Sequence, residues 1–291
     1  MMHDTQLFFA VWTALILLGD LPGAHAGEPA AGRESPRWTL CTADTRLTVG
    51  INADQTLSIY ELCGPDGWNW TAAASPIALV SRIEFAGTPV ATKWQYRDAV
   101  VDKGDGVKVA ITLVNANPAM ELKSVWQAYP GPGPVRHTMY MVNQSGKPVT
   151  IYEQESLDVR VVGPGKDASI WYIKNDASTP DKTGVYYDPL VKGYQKVLDV
   201  AESETTFIPY AVVDAGGERG VYVGWEWSIG RIAIACDGPA GSAAIKAGNG
   251  DRFKTDLDAG ETFEVPPGVI GAYKGDLDDA ANSLHKDLFN H

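Results

Sequence analysis

Residues 261–291 read ETFEVPPGVIGAYKGDLDDAANSLHKDLFNH, and the order of signals in this stretch decides how the chain folds. Phe263 and Val265 alternate with Thr262 and Glu264, the two-residue period of a strand. Pro266 and Pro267 have no N–H to give a sheet ladder and are expected to end that strand. A continuous apolar run, Val269–Tyr273, follows, and Gly275 turns the chain. Asp276 is placed to cap a helix, with Asp278 and Asp279 in the first turn, where free N–H groups and the helix dipole favour negative charge. Leu277, Ala280, Ala281, Leu284 and Leu288 recur at helical spacing and make one apolar stripe. No Gly or Pro ends that helix, so 276–291 reads as a connector whose stripe this chain covers poorly.

Upstream of this segment the signals are those of strands. Arg46–Ile51 and Leu57–Leu62 flank the turn Asn52–Gln55, and Trp94–Asp102 and Val107–Asn115 flank Lys103-Gly104-Asp105-Gly106, an Asp-Gly hairpin signal. Glu121–Tyr129 and Val135–Asn143 flank a Gly/Pro turn at 130–134, and apolar strand patterns continue to Ala247. Strands do not alternate with helices, which excludes a barrel or a doubly wound sheet. More than ten strands in one span exceed what a single open sheet holds, so residues 38–275 are expected to form one all-β, antiparallel sandwich of stacked sheets, with 276–291 as a short C-terminal helix.

The first 26 residues are read as a secretory signal. Leu7–Leu18 is apolar but too short to cross a hydrocarbon core of about 30 Å, and Ala24-His25-Ala26 fits the small-x-small cleavage pattern. The amino-terminal region departs from the pattern in carrying Asp4 and no Lys or Arg. Residues 27–37 form a polar linker, so the expected location is secreted or periplasmic, with no membrane association after cleavage. A net charge of −12 argues against nucleic acid or an anionic membrane as a partner. Cys41 and Cys63 flank the first hairpin and are the candidate disulfide pair, whereas Cys236 in RIAIACDG reads as a buried free thiol. No Cys/His spacing suggests a metal, and no motif suggests a cofactor.

Three stretches carry a family resemblance. AGETFEVPPGVIGAYKGDLDDAANSLHKDL (259–288) resembles the segment by which family 36 glycoside hydrolases, of the alpha-galactosidase (melibiase) type, pass from a β-supersandwich to a catalytic barrel. PGPVRHTMYMVNQSGKPVTIYEQESLDVRV (132–161) and GVYVGWEWSIGRIAI (220–234) are similar to segments of that sandwich. The resemblance implies a galactose-mutarotase-like supersandwich that stops before the barrel, and hence a non-catalytic domain supporting carbohydrate binding and barrel packing. Both catalytic Asp residues of the family lie on the barrel, so no catalytic residue is assigned here. Lys93-Trp94 only superficially matches the Lys-Trp-Asp of its nucleophile strand. The alternative is a stand-alone secreted carbohydrate-binding protein. An aldose 1-epimerase-like enzyme ranks below both, with His137 and Glu153 or Glu155 as its acid and base.

The candidate sugar-binding residues are Trp68 and Trp70 in a Gly/Pro loop, and Trp225 and Trp227 at a strand end. Pyranose rings offer C–H faces and polar edges, which suits an indole beside Asn, Asp or Glu. Within one strand Trp225 and Trp227 would share a face, and the same residues also fit an intersheet core or a domain interface. Tyr186-Tyr187-Asp188-Pro189 reads as a further aromatic loop. Asn69-Trp70-Thr71 and Asn143-Gln144-Ser145 match the N-glycosylation acceptor pattern. The expected partners are an alpha-galactoside-like carbohydrate and a catalytic barrel.

Overall fold

Val269–Tyr273 lies at the centre of the largest sheet. The computed structural model describes residues 35–290 apart from 72, 78, 81, 164, 166, 177–180, 182, 200–204, 228 and 251. The expected signal segment 1–26 and residues 27–34 of the linker lie outside the described residues, and Arg37 already belongs to the first strand.

The strands run in chain order as β1 (Arg37–Cys41), β2 (Arg46–Ile51), β3 (Leu57–Cys63), β4 (Ser75–Pro76), β5 (Arg82–Phe85), β6 (Thr88–Ala91) and β7 (Gln95–Asp102). Next come β8 (Val107–Asn115), β9 (Met120–Ala128), β10 (Val135–Asn143), β11 (Val149–Ile151), β12 (Glu155–Val162), β13 (Ala168–Asp176) and β14 (Gly184–Pro189). Then follow β15 (Gln195–Asp199), β16 (Thr205–Ala215), β17 (Arg219–Trp225), β18 (Arg231–Ala235), β19 (Ser242–Gly248), β20 (Thr255–Leu257) and β21 (Thr262–Lys274), before α1 (Leu277–Asn290).

Nine of these strands form one sheet in the order β14-β13-β16-β17-β21-β10-β9-β8-β7. Three four-stranded sheets, β1-β2-β3-β4, β20-β11-β5-β6 and β12-β19-β18-β15, complete an all-β architecture. Every strand pairing among the described residues is antiparallel, and one apolar cluster draws residues from all four sheets, among them Leu40, Ile83, Val223 and Ile232.

The unbroken apolar run of β21 has a packing cause. Ile270 and Ala272 enter the main core with Val221 and Val223 of β17, while Tyr273 and Tyr222 point to the opposite face, into a second cluster with Val212 and Ala280 of α1. A strand buried on both faces has no polar side to alternate. Two glycines make room for the tyrosines there. A Cβ on Gly271 would lie 2.2 Å from the Tyr222 ring, and one on Gly220 would lie 2.4 Å from that of Tyr273.

Four local expectations are corrected by this arrangement. Pro266 and Pro267 do not end their strand. They fall where the β10–β21 register shifts between His137 and Met139, an irregularity that asks no N–H of either proline. Their carbonyls accept hydrogen bonds from Ser156 Oγ (2.7 Å) and Glu226 N (2.9 Å) instead. Cys41 and Cys63 are not bridged: both pair with Arg46, from opposite sides of β2. Two strand spacings, about 9.5 Å, separate them, beyond the roughly 7 Å that a disulfide tolerates. Tyr186 and Tyr187 lie in β14, not in a loop. The strand pattern that continues beyond Asn143 does not keep to one sheet: 149–162 divides between β11 and β12, because the chain changes sheets there.

The helix stripe is covered in part: Ala281 is exposed, and the side chain of Leu288 lies outside the described residues. Ala280 and Ser283 are buried against the large sheet, and Leu277 and Leu284 pack half-buried beside Tyr222 and Tyr273. Asp276 does cap α1: its Oδ1 accepts from Asp278 N (2.9 Å) and Asp279 N (3.3 Å), while Asp279 Oδ2 accepts from Asp276 N (3.0 Å). That is the reciprocal capping-box arrangement, with Asp279 in the acceptor role.

Candidate functional site

The end of the sandwich from which α1 departs gathers the most elaborate polar structure around an exposed indole. After β3 the chain turns through Gly64–Trp68, with Gly67 at φ 77° and Trp68 N donating to Asp66 Oδ1 at 3.0 Å. Asp66 then forms an ion pair of 2.8 Å with Arg219, at the start of β17, and the Arg219 guanidinium lies 5.5 Å from the Trp68 ring centroid. Trp68 is thereby held in place by a cation–π contact while 38% of it remains exposed.

Beside this loop, a cleft of about 180 Å³ separates α1 from the end turns, lined by Asp44, Pro65, Pro132, Lys274, Asp279 and Lys286. Ser283 of α1 donates to Asp44 Oδ2 at 2.5 Å and lies 3.0 Å from the Tyr222 hydroxyl. Asp44 Oδ1 accepts from Gly133 N, so one carboxylate joins the helix to two loops. Tyr273 donates to Asp214 at 2.8 Å, and burial, with that carboxylate beside it, pushes the phenol well above its ordinary pKa.

The four expected tryptophans do not form one surface. Trp70 is 0% exposed and Trp225 is 2% exposed, so neither offers a face to a ligand. Trp70 is carried into the core as its N–H returns to Leu62 O (2.7 Å), and Trp225 is the last residue of β17 on its inner face. The chain leaves the sheet beyond Trp225, whose Nε1 donates to Ile229 O at 3.1 Å, and this releases Trp227 from the shared face; it is 55% exposed. Trp68 sits at the Arg219 end of β17 and Trp227 beyond the Trp225 end, so about 20 Å of strand lies between them. Sequence reasoning missed Asp66, Arg219 and the Arg136–Glu226 ion pair (2.7 Å) next to Trp227, all of which depend on long-range pairing.

His137, the acid of the epimerase-like alternative, is wholly buried. Its ring lies flat on Trp126, with centroids 3.9 Å apart and planes at 12°. Trp126 Nε1 donates to Ser124 Oγ (2.9 Å), which leaves that hydroxyl to donate to His137 Nε2 (2.7 Å), and Nδ1–H donates to Ser156 O. Desolvation lowers the His137 pKa to about 4. Glu155 instead pairs with Arg231 at 3.1 Å across Gly248, and burial raises its carboxyl above the usual range against the pull of that guanidinium. With both ring nitrogens of His137 engaged in the core, these residues are not an apposed acid and base. Among the described residues no cluster of three or more His, Cys, Asp and Glu is placed to hold a metal, and no helix is long and apolar enough to cross a membrane.

No protein-family model matches the chain, and no curated relative does. Solved structures match it throughout the fold. A variant of the family 36 alpha-galactosidase AgaA from Geobacillus stearothermophilus, in complex with raffinose, is 15% identical with a TM-score of 0.69, over 85% of this chain and 42% of that one. The alpha-galactosidase from Lactobacillus brevis is 12% identical with a TM-score of 0.71, over 86% and 41%. The Slr1438 protein from Synechocystis sp. PCC 6803 is 10% identical with a TM-score of 0.54, over 85% of this chain and 99% of that one. The chain has the fold of the sandwich portion of family 36 alpha-galactosidases and spans about 42% of their length.

Proposed function

We propose that this chain is the non-catalytic amino-terminal sandwich of an exported alpha-galactosidase-like glycoside hydrolase. In this reading the end that carries Trp68, Asp66, Arg219 and α1 packs against the catalytic barrel, and exposed indoles contribute sugar contacts. The observation that carries the reading is the match itself, in which one fold covers 85% of this chain and 42% of an alpha-galactosidase solved with raffinose. Glycoside hydrolysis needs an acid and a nucleophile held in fixed apposition, which the family places on the barrel. The purified chain is therefore expected to leave raffinose and aryl alpha-galactosides intact. Turnover that survives purification and disappears when one carboxylate of this chain is replaced would refute the non-catalytic role. Export is tested by amino-terminal sequencing of the protein recovered outside the cytoplasm, which should begin at Gly27.

A second reading, a stand-alone carbohydrate-binding protein, is favoured by one observation: the Slr1438 match takes in 99% of that chain, so the fold also makes up nearly all of another protein. The reading frame downstream separates the two. A continuous barrel-coding frame supports the first reading, and a stop followed by a terminator supports the second.

A further inference from the structure

A cleft of about 620 Å³ lies at the opposite end of β3 from Trp68. It opens between the β2–β3 turn and the segment that enters β7, and its volume falls within the roughly 300–1,000 Å³ usual for small-ligand sites. Its floor is apolar, built from Leu57, Leu79 and Leu113, and Trp94 lines it half-buried.

Both walls are fixed by hydrogen bonds that leave the outward-facing groups free. On one side Asn52 Oδ1 accepts from Asp54 N (3.0 Å) and Thr56 N (2.8 Å). On the other, Thr92 Oγ1 donates to Val80 O (2.7 Å), Lys93 N to Asn115 Oδ1 (2.7 Å) and Trp94 Nε1 to Val80 O (3.3 Å). The side chains of Asp54, Gln55, Lys93 and Gln95 have no hydrogen-bond or ion-pair partner among the described residues, and all four line the cleft.

Gln55 adds a second observation. Its φ is 61°, a left-handed conformation that Ala86 alone shares among the described non-glycine residues. Such a backbone suits glycine and burdens a residue with a Cβ, and observed strain of this kind at a cleft rim is a pointer to use.

We propose that this cleft is a binding site for a neutral oligosaccharide. The rim sets one carboxylate against one ammonium and adds two amides, so its formal charges cancel while donors and acceptors abound. Over an apolar floor and an indole, that set matches the polar edges and C–H faces of pyranose rings. The inference shares with the proposed function only its ligand class, and it requires no catalytic domain.

The test is titration of the whole chain with raffinose and maltotriose, followed by amide chemical shifts, with galacturonate and phenylalanine as charged and zwitterionic comparisons. Shift changes confined to residues 53–57 and 92–95 are expected, and only for the neutral sugars. Gln55→Gly and Gln95→Ala should each weaken binding about threefold to tenfold, the usual range for a lost hydrogen bond. Gln55→Gly should also keep or raise the melting temperature, because glycine accepts the left-handed backbone, so lost binding there cannot come from misfolding. Trp68→Ala and Trp227→Ala should leave binding unchanged. If those two abolish it while the glutamine variants do not, the cleft assignment fails and sugar contact by the exposed indoles stands. Binding of neither sugar, or equal binding of galacturonate or phenylalanine, overturns the cleft proposal outright.

Discussion

His137 is an uncharged histidine inside a β core, and its surroundings make it a pH-dependent weak point. The folded pKa of about 4 lies below the ordinary histidine value of 6.5, so the unfolded chain takes up the proton first as pH falls. The stability held by neutral His137 is present in full above pH 6.5, declines through the interval down to about 4 and is gone below it. The gap corresponds to about 3 kcal/mol. Denaturant unfolding of the natural protein should therefore lose stability between pH 6.5 and 4 more steeply than that of His137→Gln, and parallel profiles would show that the ring is not the group titrating. Strand alternation puts His137 on one face of β10, but periodicity cannot say which face meets the core.

At the level of elements, α1 shows how local signals and long-range contacts divide the work. Asp276, the acidic first turn and the apolar spacing were all legible in the chain, since capping and stripe formation involve neighbours within four residues. What receives the stripe was not legible, because Val212 and Tyr222, which join Tyr273 there, come from strands far upstream in the sequence. The Asp44–Ser283–Tyr222 contacts add a polar lock to that apolar seat. Ser283→Ala should cost about 1 kcal/mol and speed amide exchange in the first turns of α1, leaving β9 and β10 unchanged. Exchange that is unaltered in α1 would mean that Ala280 and the leucines hold the helix unaided.

In the molecule as a whole, one apolar cluster runs through all four sheets, so none of them has a core of its own. Residues 35–290 should unfold in a single calorimetric transition, and Ile232→Ala in a small sheet should lower its midpoint for the large sheet too, through the loss of about 2–5 kcal/mol typical of a buried truncation. Two separable transitions would contradict this. The sequence by itself determined the all-β class, most of the hairpins, the helix and its cap, and the resemblance to a glycosidase sandwich. Each of these is written in short-range periodicity, turn chemistry or local motifs. Only the tertiary structure decided that Trp70 and Trp225 are buried while Trp68 and Trp227 are exposed, that Cys41 and Cys63 stand apart, and that two prolines ride a bulge within β21. It also brought the 52–56 turn to the 92–95 segment, making a cleft that no local pattern announces. The physical reason is common to all of them: exposure and proximity in a sandwich depend on which strands become neighbours, and that pairing is a property of the whole chain.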